Sequence, residues 1–170
     1  MTLVCSSMDS IPEEVWNLYQ QSFSEGEKIP RENLERALGN GALLDMFTDG
    51  RFIGFIFGFR DGDRIFFIYF ATVPEVRGKG YGGRMLEMFR AAHKGTRSFL
   101  VTESPDPDAE DNGIRERRKA FYRRNGCRET GVRLLSDDLW FDSMFVDGSL
   151  TEQEMVDTVR LYEDIHNGRL

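Results

Sequence analysis

With 170 residues, 40% of them hydrophobic and 30% charged, the chain has apolar surface for one core and is expected to form a single domain. A formal net charge of −7 speaks against a broad nucleic-acid-gripping surface, and the longest apolar run, residues 65–71, falls far short of the roughly 20 residues a bilayer-spanning helix needs. Cys5 and Cys127 are too few for a disulfide framework, and the opening MTLVCSSMDS carries neither a basic leader nor an apolar stretch of export length, so a reducing, cytoplasmic setting is expected.

Ser10 to Glu13 has capping-box spacing, and Trp16, Leu18, Tyr19 and Phe23 recur at helical intervals, which predicts a helix over 12–24. Pro30 opens a second helix to about Leu38, ended by Gly39-Asn40-Gly41. Three apolar runs, 42–48, 51–59 and 64–72, are separated by the turn signals Asp49-Gly50 and Asp61-Gly62 and read as an antiparallel meander. Tyr81, Met85, Met88, Phe89 and Ala92 mark a helix over 80–94. A strand over 97–103, a Pro/Asp loop and a helix over 114–124 follow, the last stopped by Asn125-Gly126. Two strands, 127–135 and 138–146, precede a helix that Thr151 and Glu154 would cap. The order predicts a mixed α/β fold with a largely antiparallel sheet flanked by helices. Residues 1–170 are read as one domain, with a core over 1–146 and a C-terminal helical extension over 147–170.

Between the third apolar run and the helix over 80–94 lies VPEVRGKGYGG, with glycines at 78, 80, 82 and 83. Each glycine weakens a regular element by roughly 0.5–1 kcal/mol relative to alanine. A strand, a glycine turn and a helix start expose main-chain N–H groups where the helix dipole favours an anion, and phosphate is the natural guest. Arg77 and Lys79 add positive charge to the same turn. The alternative is that the glycines only let the helix pack closely on the sheet. Gly78-x-Gly80-x-x-Gly83, with Glu103 downstream, also matches a dinucleotide fingerprint. That pattern belongs to the first βαβ unit of a parallel sheet, however, whereas a meander precedes it here. No Gly-Lys-Ser/Thr occurs, which excludes a P-loop.

Arg77-Gly78-Lys79-Gly80-Tyr81-Gly82 is an Arg-x-x-Gly-x-Gly turn, and Ala120-Phe121-Tyr122-Arg123-Arg124-Asn125-Gly126-Cys127 is similar to Phe-Tyr-x-x-x-Gly-Phe. On these two blocks the chain resembles the GCN5-related N-acetyltransferases over most of residues 1–146. The resemblance implies the acyl-CoA N-acyltransferase fold with acetyl-CoA as cofactor. The coenzyme A pyrophosphate would be held by Arg77, Gly78, Lys79, Gly80, Tyr81, Gly82 and Gly83. The pantetheine arm would run along the fourth strand at Ala71, Thr72 and Val73. Arg115, Arg118 and Cys127 depart from the second block, where Asn, Ala and Phe are usual.

Freeing an alkylamine of pKa about 10.4 at neutral pH costs roughly 4–5 kcal/mol, so a base or a water chain to one is needed. Glu103, at the end of the strand over 97–103, is the candidate, against a plain solvated acid at the start of an acidic loop. The resemblance gives Tyr122 the role of proton donor to the departing thiolate. A main-chain N–H near Val73 is the candidate oxyanion donor. Arg115, Arg118 or Lys119, and Tyr122 share a helical face, and one of these cations, with Arg115 and Arg118 to the fore, is expected at the cofactor phosphates. The carboxylates of the Pro/Asp loop after the strand over 97–103 would draw a cationic amine toward the cleft. His93 and His166 lie in no ligand pattern, and a calcium-like spacing from Asp108 ends at Lys119 rather than Glu, so no metal is expected. The reading is an acetyl-CoA-dependent N-acetyltransferase acting by direct attack of a primary amine, on a small molecule or a protein amino group, with no nucleic-acid or membrane partner and with a homodimer possible. A coenzyme A-binding module without turnover stands second, and a nicotinamide-dependent enzyme third.

Overall fold

The computed structural model describes residues 2–170. The chain runs β1 (Val4–Met8), α1 (Glu13–Ser22), α2 (Arg31–Leu38), β2 (Ala42–Thr48), β3 (Phe52–Asp61), β4 (Arg64–Thr72), a 3-10 turn (Pro74–Val76), α3 (Tyr81–Ala92), β5 (Arg97–Glu103), α4 (Asn112–Arg124), β6 (Arg128–Ser136), β7 (Leu139–Asp147) and α5 (Glu152–His166). Strand β1 was not foreseen. Its VCSSM sequence has no run of large apolar residues, and it owes its place to edge pairing with β2, Val4↔Thr48 through Met8↔Leu44.

The two expected capping boxes had opposite outcomes. At α5 the box forms: Thr151 Oγ1 accepts from Glu154 N at 3.1 Å, and Glu154 Oε1 accepts from Thr151 N at 3.0 Å. At α1 it does not, and the N-cap is Pro12 with no side-chain cap. A box on Ser10 would make Ile11 helical, and a residue before proline is pushed to extended backbone.

Seven strands form one sheet in the order β1-β2-β3-β4-β5-β7-β6. Every neighbour pair is antiparallel except β4 and β5, which are parallel. One face carries α1, α2 and α5 over a core that includes Tyr19, Phe57, Phe59, Phe66, Phe99 and Tyr162. The other carries α3 and α4 over Phe47, Ile56, Phe67, Met85, Phe89 and Met144. Helix α5 closes the first face: Tyr162 lies 5.7 Å from Phe59 and 6.0 Å from Phe66 between ring centres, and Arg36 Nη1 donates to the His166 carbonyl at 2.7 Å.

The β4–β5 seam positions the site. These strands pair only from Arg64↔Arg97 to Phe67↔Leu100, although β4 continues to Thr72 and β5 to Glu103. On its other side β4 pairs Phe67 with Gly58 but Tyr69 with Phe57, so Ile68 is an extra residue. A bulge bends its strand and increases local twist, and this one sits where the pairing with β5 ends. Beyond it β4 stays with β3, where a Cβ on Gly54 would lie 2.2 Å from the Ala71 carbonyl oxygen. Strand β5 stays with β7 out to Glu103↔Phe141. Between the diverging ends a cleft opens. No helix among the described residues is long and apolar enough to cross a membrane.

Candidate active site

The four glycines after β4 divide into two pairs. Gly78 and Gly80 have φ of 77° and 84°, left-handed backbone that glycine adopts without strain, and a Cβ at either would point into open space. Gly80 is the N-cap of α3. Gly82 and Gly83 are helical and face α4: a Cβ on Gly82 would lie 3.0 Å from the Phe121 ring, and one on Gly83 would lie 2.5 Å from Asn125 Oδ1. Close packing thus accounts for the second pair, against α4 rather than the sheet. It does not account for the first.

In front of the turn lies a cavity of about 690 Å³, walled by Phe70, Thr72, Arg77, the glycines and Tyr81, and across from them by Arg117, Arg118, Tyr122, Arg124 and Asn125 of α4. The start of α3 opens on it, where a helix presents N–H groups that lack intrahelical partners. Arg77 Nη2 donates to the Thr72 carbonyl at 3.1 Å, which ties the turn back to the end of β4. Lys79 is exposed and lies off this wall. Arg115 also lies off it: its guanidinium ion-pairs with Glu103 at 3.0 Å and Asp111 at 2.9 Å, and Nη1 donates to the Ser104 carbonyl at 3.2 Å. Lys119 is buried, with Nζ 2.6 Å from Asp142 and 2.8 Å from Glu129, and ties α4 to β6 and β7 instead of facing phosphate. The sequence reading missed Arg117 and Arg124, because α4 carries arginines all round and its spacing alone does not select a face.

A second cavity of about 340 Å³ fills the splay, bounded by Ala71 and Thr72 of β4, Thr102 and Glu103 of β5, and Ser22, Phe23 and Glu27 from the end of α1 onward. It shares Phe70, Thr72, Arg77, Arg118 and Tyr122 with the first cavity, so the two adjoin along that wall, which includes Tyr122. Tyr122 is buried, and burial raises its pKa against the opposing pull of Arg118. The phenol therefore keeps its proton at neutral pH. Burial also raises the Glu103 carboxyl above its ordinary range; Arg115 opposes this, and Glu27 and Asp111 add to it. The hydroxyls of Ser22 and Thr102 are buried without a hydrogen-bond partner among the described residues. Unpaired buried hydroxyls are costly, and both of these belong to residues on the wall of this cavity. The Val73 N–H donates to the Ile53 carbonyl at 2.9 Å, so the amide of Val73 itself is engaged with β3.

Farther out, a third cavity of about 450 Å³ shares Phe23, Glu27, Ile68, Val101, Glu103 and Phe141 with the second and adds Asp137 and Leu139 from the β6–β7 turn. Asp106, Asp108 and Glu110, expected to steer the acceptor, lie off these walls. Among the described residues no three His, Cys, Asp or Glu side chains cluster as metal ligands. His93 pairs instead with buried Asp45, Nε2 to Oδ2 at 2.8 Å.

A sheet splayed between two parallel strands, with a glycine turn and a helix N-terminus at the mouth of the gap, defines the acyl-CoA N-acyltransferase class of fold. Residues 42–129 match the family model of the acetyltransferase (GNAT) domain, more than half of the 170 residues, and the chain belongs to that family. It is an acetyltransferase that uses acetyl-CoA. The solved structures agree in fold. An acetyltransferase of the GNAT family from Bacteroides thetaiotaomicron superposes with a TM-score of 0.71 at 24% identity, over 89% of this chain and 88% of that one. The ribosomal-protein-S18-alanine N-acetyltransferase of Escherichia coli gives 0.64 at 16% identity, over 89% and 98%. A Bacillus subtilis acetyltransferase solved with coenzyme A gives 0.63 at 11% identity, over 87% and 100%. No curated protein matches by sequence. The antiparallel strands before the glycine turn, together with the family, set aside the dinucleotide reading.

Proposed function

We propose that the chain acetylates a primary amine by direct attack, with the cofactor in the first cavity and the acceptor entering through the second. The observation that carries this reading is the shared wall: Phe70, Thr72, Arg77, Arg118 and Tyr122 border both cavities. The open space at Gly78 and Gly80 and the arginines opposite suit a diphosphate, which Arg77, Gly78, Gly80, Gly82, Gly83, Arg117, Arg118 and Arg124 would hold, with Tyr81 behind them. Lys79 and Arg115, expected among these ligands, are off the cavity wall, and Arg115 is held by Glu103 and Asp111 instead. Ala71 and Thr72, at the open edge of β4, would lie along the pantetheine arm.

Acetyl-CoA supplies the acetyl group as an activated thioester. The chain supplies the position and the protons. Tyr122 holds a proton at Oη where the cavities meet, the place for the acid of the reaction, and a positioned acid contributes typically 10²–10⁴-fold. Glu103, held above the ordinary carboxylate range by burial, is a better base than a solvated acid and faces the acceptor side. The orphan hydroxyls of Ser22 and Thr102 are suited to bind the polar atoms of whatever fills the splay.

A melting curve with acetyl-CoA tests the reading. Ligand at a hundred times its dissociation constant stabilises by about 2.7 kcal/mol, a rise of roughly 5–10 °C for a chain of this size, and Gly80→Val is expected to remove most of that rise. A rise that survives Gly80→Val unchanged would place the cofactor elsewhere.

A further inference from the structure

The walls of the cleft change sign along its length. The first cavity is basic, with Arg77, Arg117, Arg118 and Arg124 and no acid. At the splay Arg77 and Arg118 stand with Glu27 and Glu103. The outer cavity has Glu27, Glu103 and Asp137 and no Lys, Arg or His. Glu103 is partly offset by Arg115, 3.0 Å away. Glu27 and Asp137 have no ion pair among the described residues; the cation next in sequence to Glu27, Lys28, is drawn 2.7 Å from Glu25 instead. Among the described residues the Glu27 carboxylate accepts only from Ser24 Oγ, at 3.1 Å.

Glu27 is not on a loose loop. Its carbonyl accepts from the buried Tyr69 hydroxyl at 2.7 Å, and Ile29 N donates to Tyr19 Oη at 2.8 Å, so the segment is pinned to β4 and α1. Between Glu27 and Asp137 the cavity is walled by Phe23, Ile68, Val101 and Phe141. Carboxylates along an apolar trough, joined to the thioester cavity, match the chemistry of an alkyl chain bearing ammonium groups. Acidic groups gathered on one concave wall give it a negative potential that attracts a cation.

Resting on the acetyl transfer proposed above, we infer that the acceptor is a dicationic alkylamine. Its reacting amine enters the splay past Glu103, and its second ammonium remains in the outer cavity between Glu27 and Asp137. A neighbouring groove of about 470 Å³ shares Ile68, Val101, Ser136 and Phe141 with the outer cavity; beyond them its wall has an apolar part, with Phe66, Leu134, Val156 and Val159, and a polar part, with Arg160, Glu163 and His166. It would suit a long apolar tail, and the test separates that occupant from the dication.

The experiment is steady-state thiol release at saturating acetyl-CoA, with putrescine and cadaverine compared to n-butylamine and n-pentylamine, and with γ-aminobutyrate and n-octylamine alongside. The diamines are expected to exceed the monoamines of equal length in kcat/KM by about tenfold, which is about 1.4 kcal/mol. γ-Aminobutyrate should fall below both, and the diamine advantage should shrink as added salt screens the carboxylates. Glu27→Gln and Asp137→Asn should each lower the diamine-to-monoamine ratio several-fold, and the double variant should bring it to about one. Glu87→Gln, which removes an exposed carboxylate of α3 off the cavity walls, should leave the ratio as it is. Monoamines turned over as well as diamines, or n-octylamine preferred to all, would overturn the inference and leave acetyl transfer to an amine standing. Binding of acetyl-CoA without turnover of any amine would remove the amine reading and this inference with it.

Discussion

The two halves of the cleft are made differently. The cofactor half is built from one contiguous turn, residues 77–83, and one face of α4. In the function proposed above, its specificity would come from main-chain geometry and from arginines that share one charge sign. The acceptor half is assembled from the end of α1 and the loop after it, the free edges of β4 and β5, and the tip of the β6–β7 hairpin. There side chains from distant parts of the sequence, Phe23, Glu27, Glu103, Asp137 and Phe141, meet only in the fold. A ligand common to a family can be held by backbone, which is insensitive to side-chain change. A ligand particular to one member must be read by side chains that are free to vary.

If that contrast is right, changes at the boundary and on either side of it should separate in the kinetics. The largest expected effect is at the boundary. Tyr122→Phe should lower kcat about a hundredfold, equal to about 2.7 kcal/mol, with coenzyme A affinity by calorimetry within about twofold of the parent. An active Phe variant would take the acid role from Tyr122.

On the cofactor side, Gly80→Val places a β-branched residue at φ 84°, at a cost on the order of 1–3 kcal/mol. The dissociation constant for coenzyme A should rise at least about tenfold while the relative preference among acceptors stays fixed. A changed preference order would blur the division between the halves.

On the acceptor side the prediction concerns pH. If Glu103 is the base, it must be deprotonated to act, and the acidic limb of kcat/KM should lie above the ordinary carboxylate range because burial raises its pKa. Arg115 holds that pKa down, so Arg115→Ala should move the limb to higher pH, and Glu103→Gln should abolish it. A limb that ignores both changes belongs to another group.

The smallest effect lies outside the cleft and serves as a control. Glu154, bound to Arg97 at 2.8 Å, has its carboxyl lowered from 4.5 to about 2. A depressed acid contributes stability above its unfolded pKa and loses it as pH falls through the folded one. The melting temperature of Arg97→Met should therefore lie below the parent's at neutral pH, and the gap should close as pH falls from about 4.5 toward about 2. Acceptor preference should not change.

Much of the architecture could be read before any coordinates. The period of Tyr81, Met85 and Phe89, and the turn pairs Asp49-Gly50 and Asp61-Gly62, placed most elements within two residues of their observed bounds, because in these segments burial on one face sets the pattern. β1 was invisible because an edge strand held by main-chain pairing needs little apolar sequence. Arg115 was placed at the cofactor by spacing along α4. One of its two carboxylate partners, Asp111, is at i−4, but the other, Glu103, is twelve residues earlier on another element, and no helical period reports that pair. Asp137 gave no signal in its exposed hairpin turn, since only the third dimension brings it to the same cavity wall as Glu27.

The surplus residue Ile68 has a further consequence. Ile68 and Tyr69 lie on the same face of the sheet, so removing Ile68 would restore strict alternation along β4 and a single register with β3, with Tyr69 still paired to Phe57 and the residues up to Thr72 on their present faces. The two parallel neighbours would then be free to zip together to their ends, leaving no opening for a thioester. A chain shortened at that point is expected to keep a closed sheet and lose the enzyme, so the family's chemistry here depends on an irregularity one residue long.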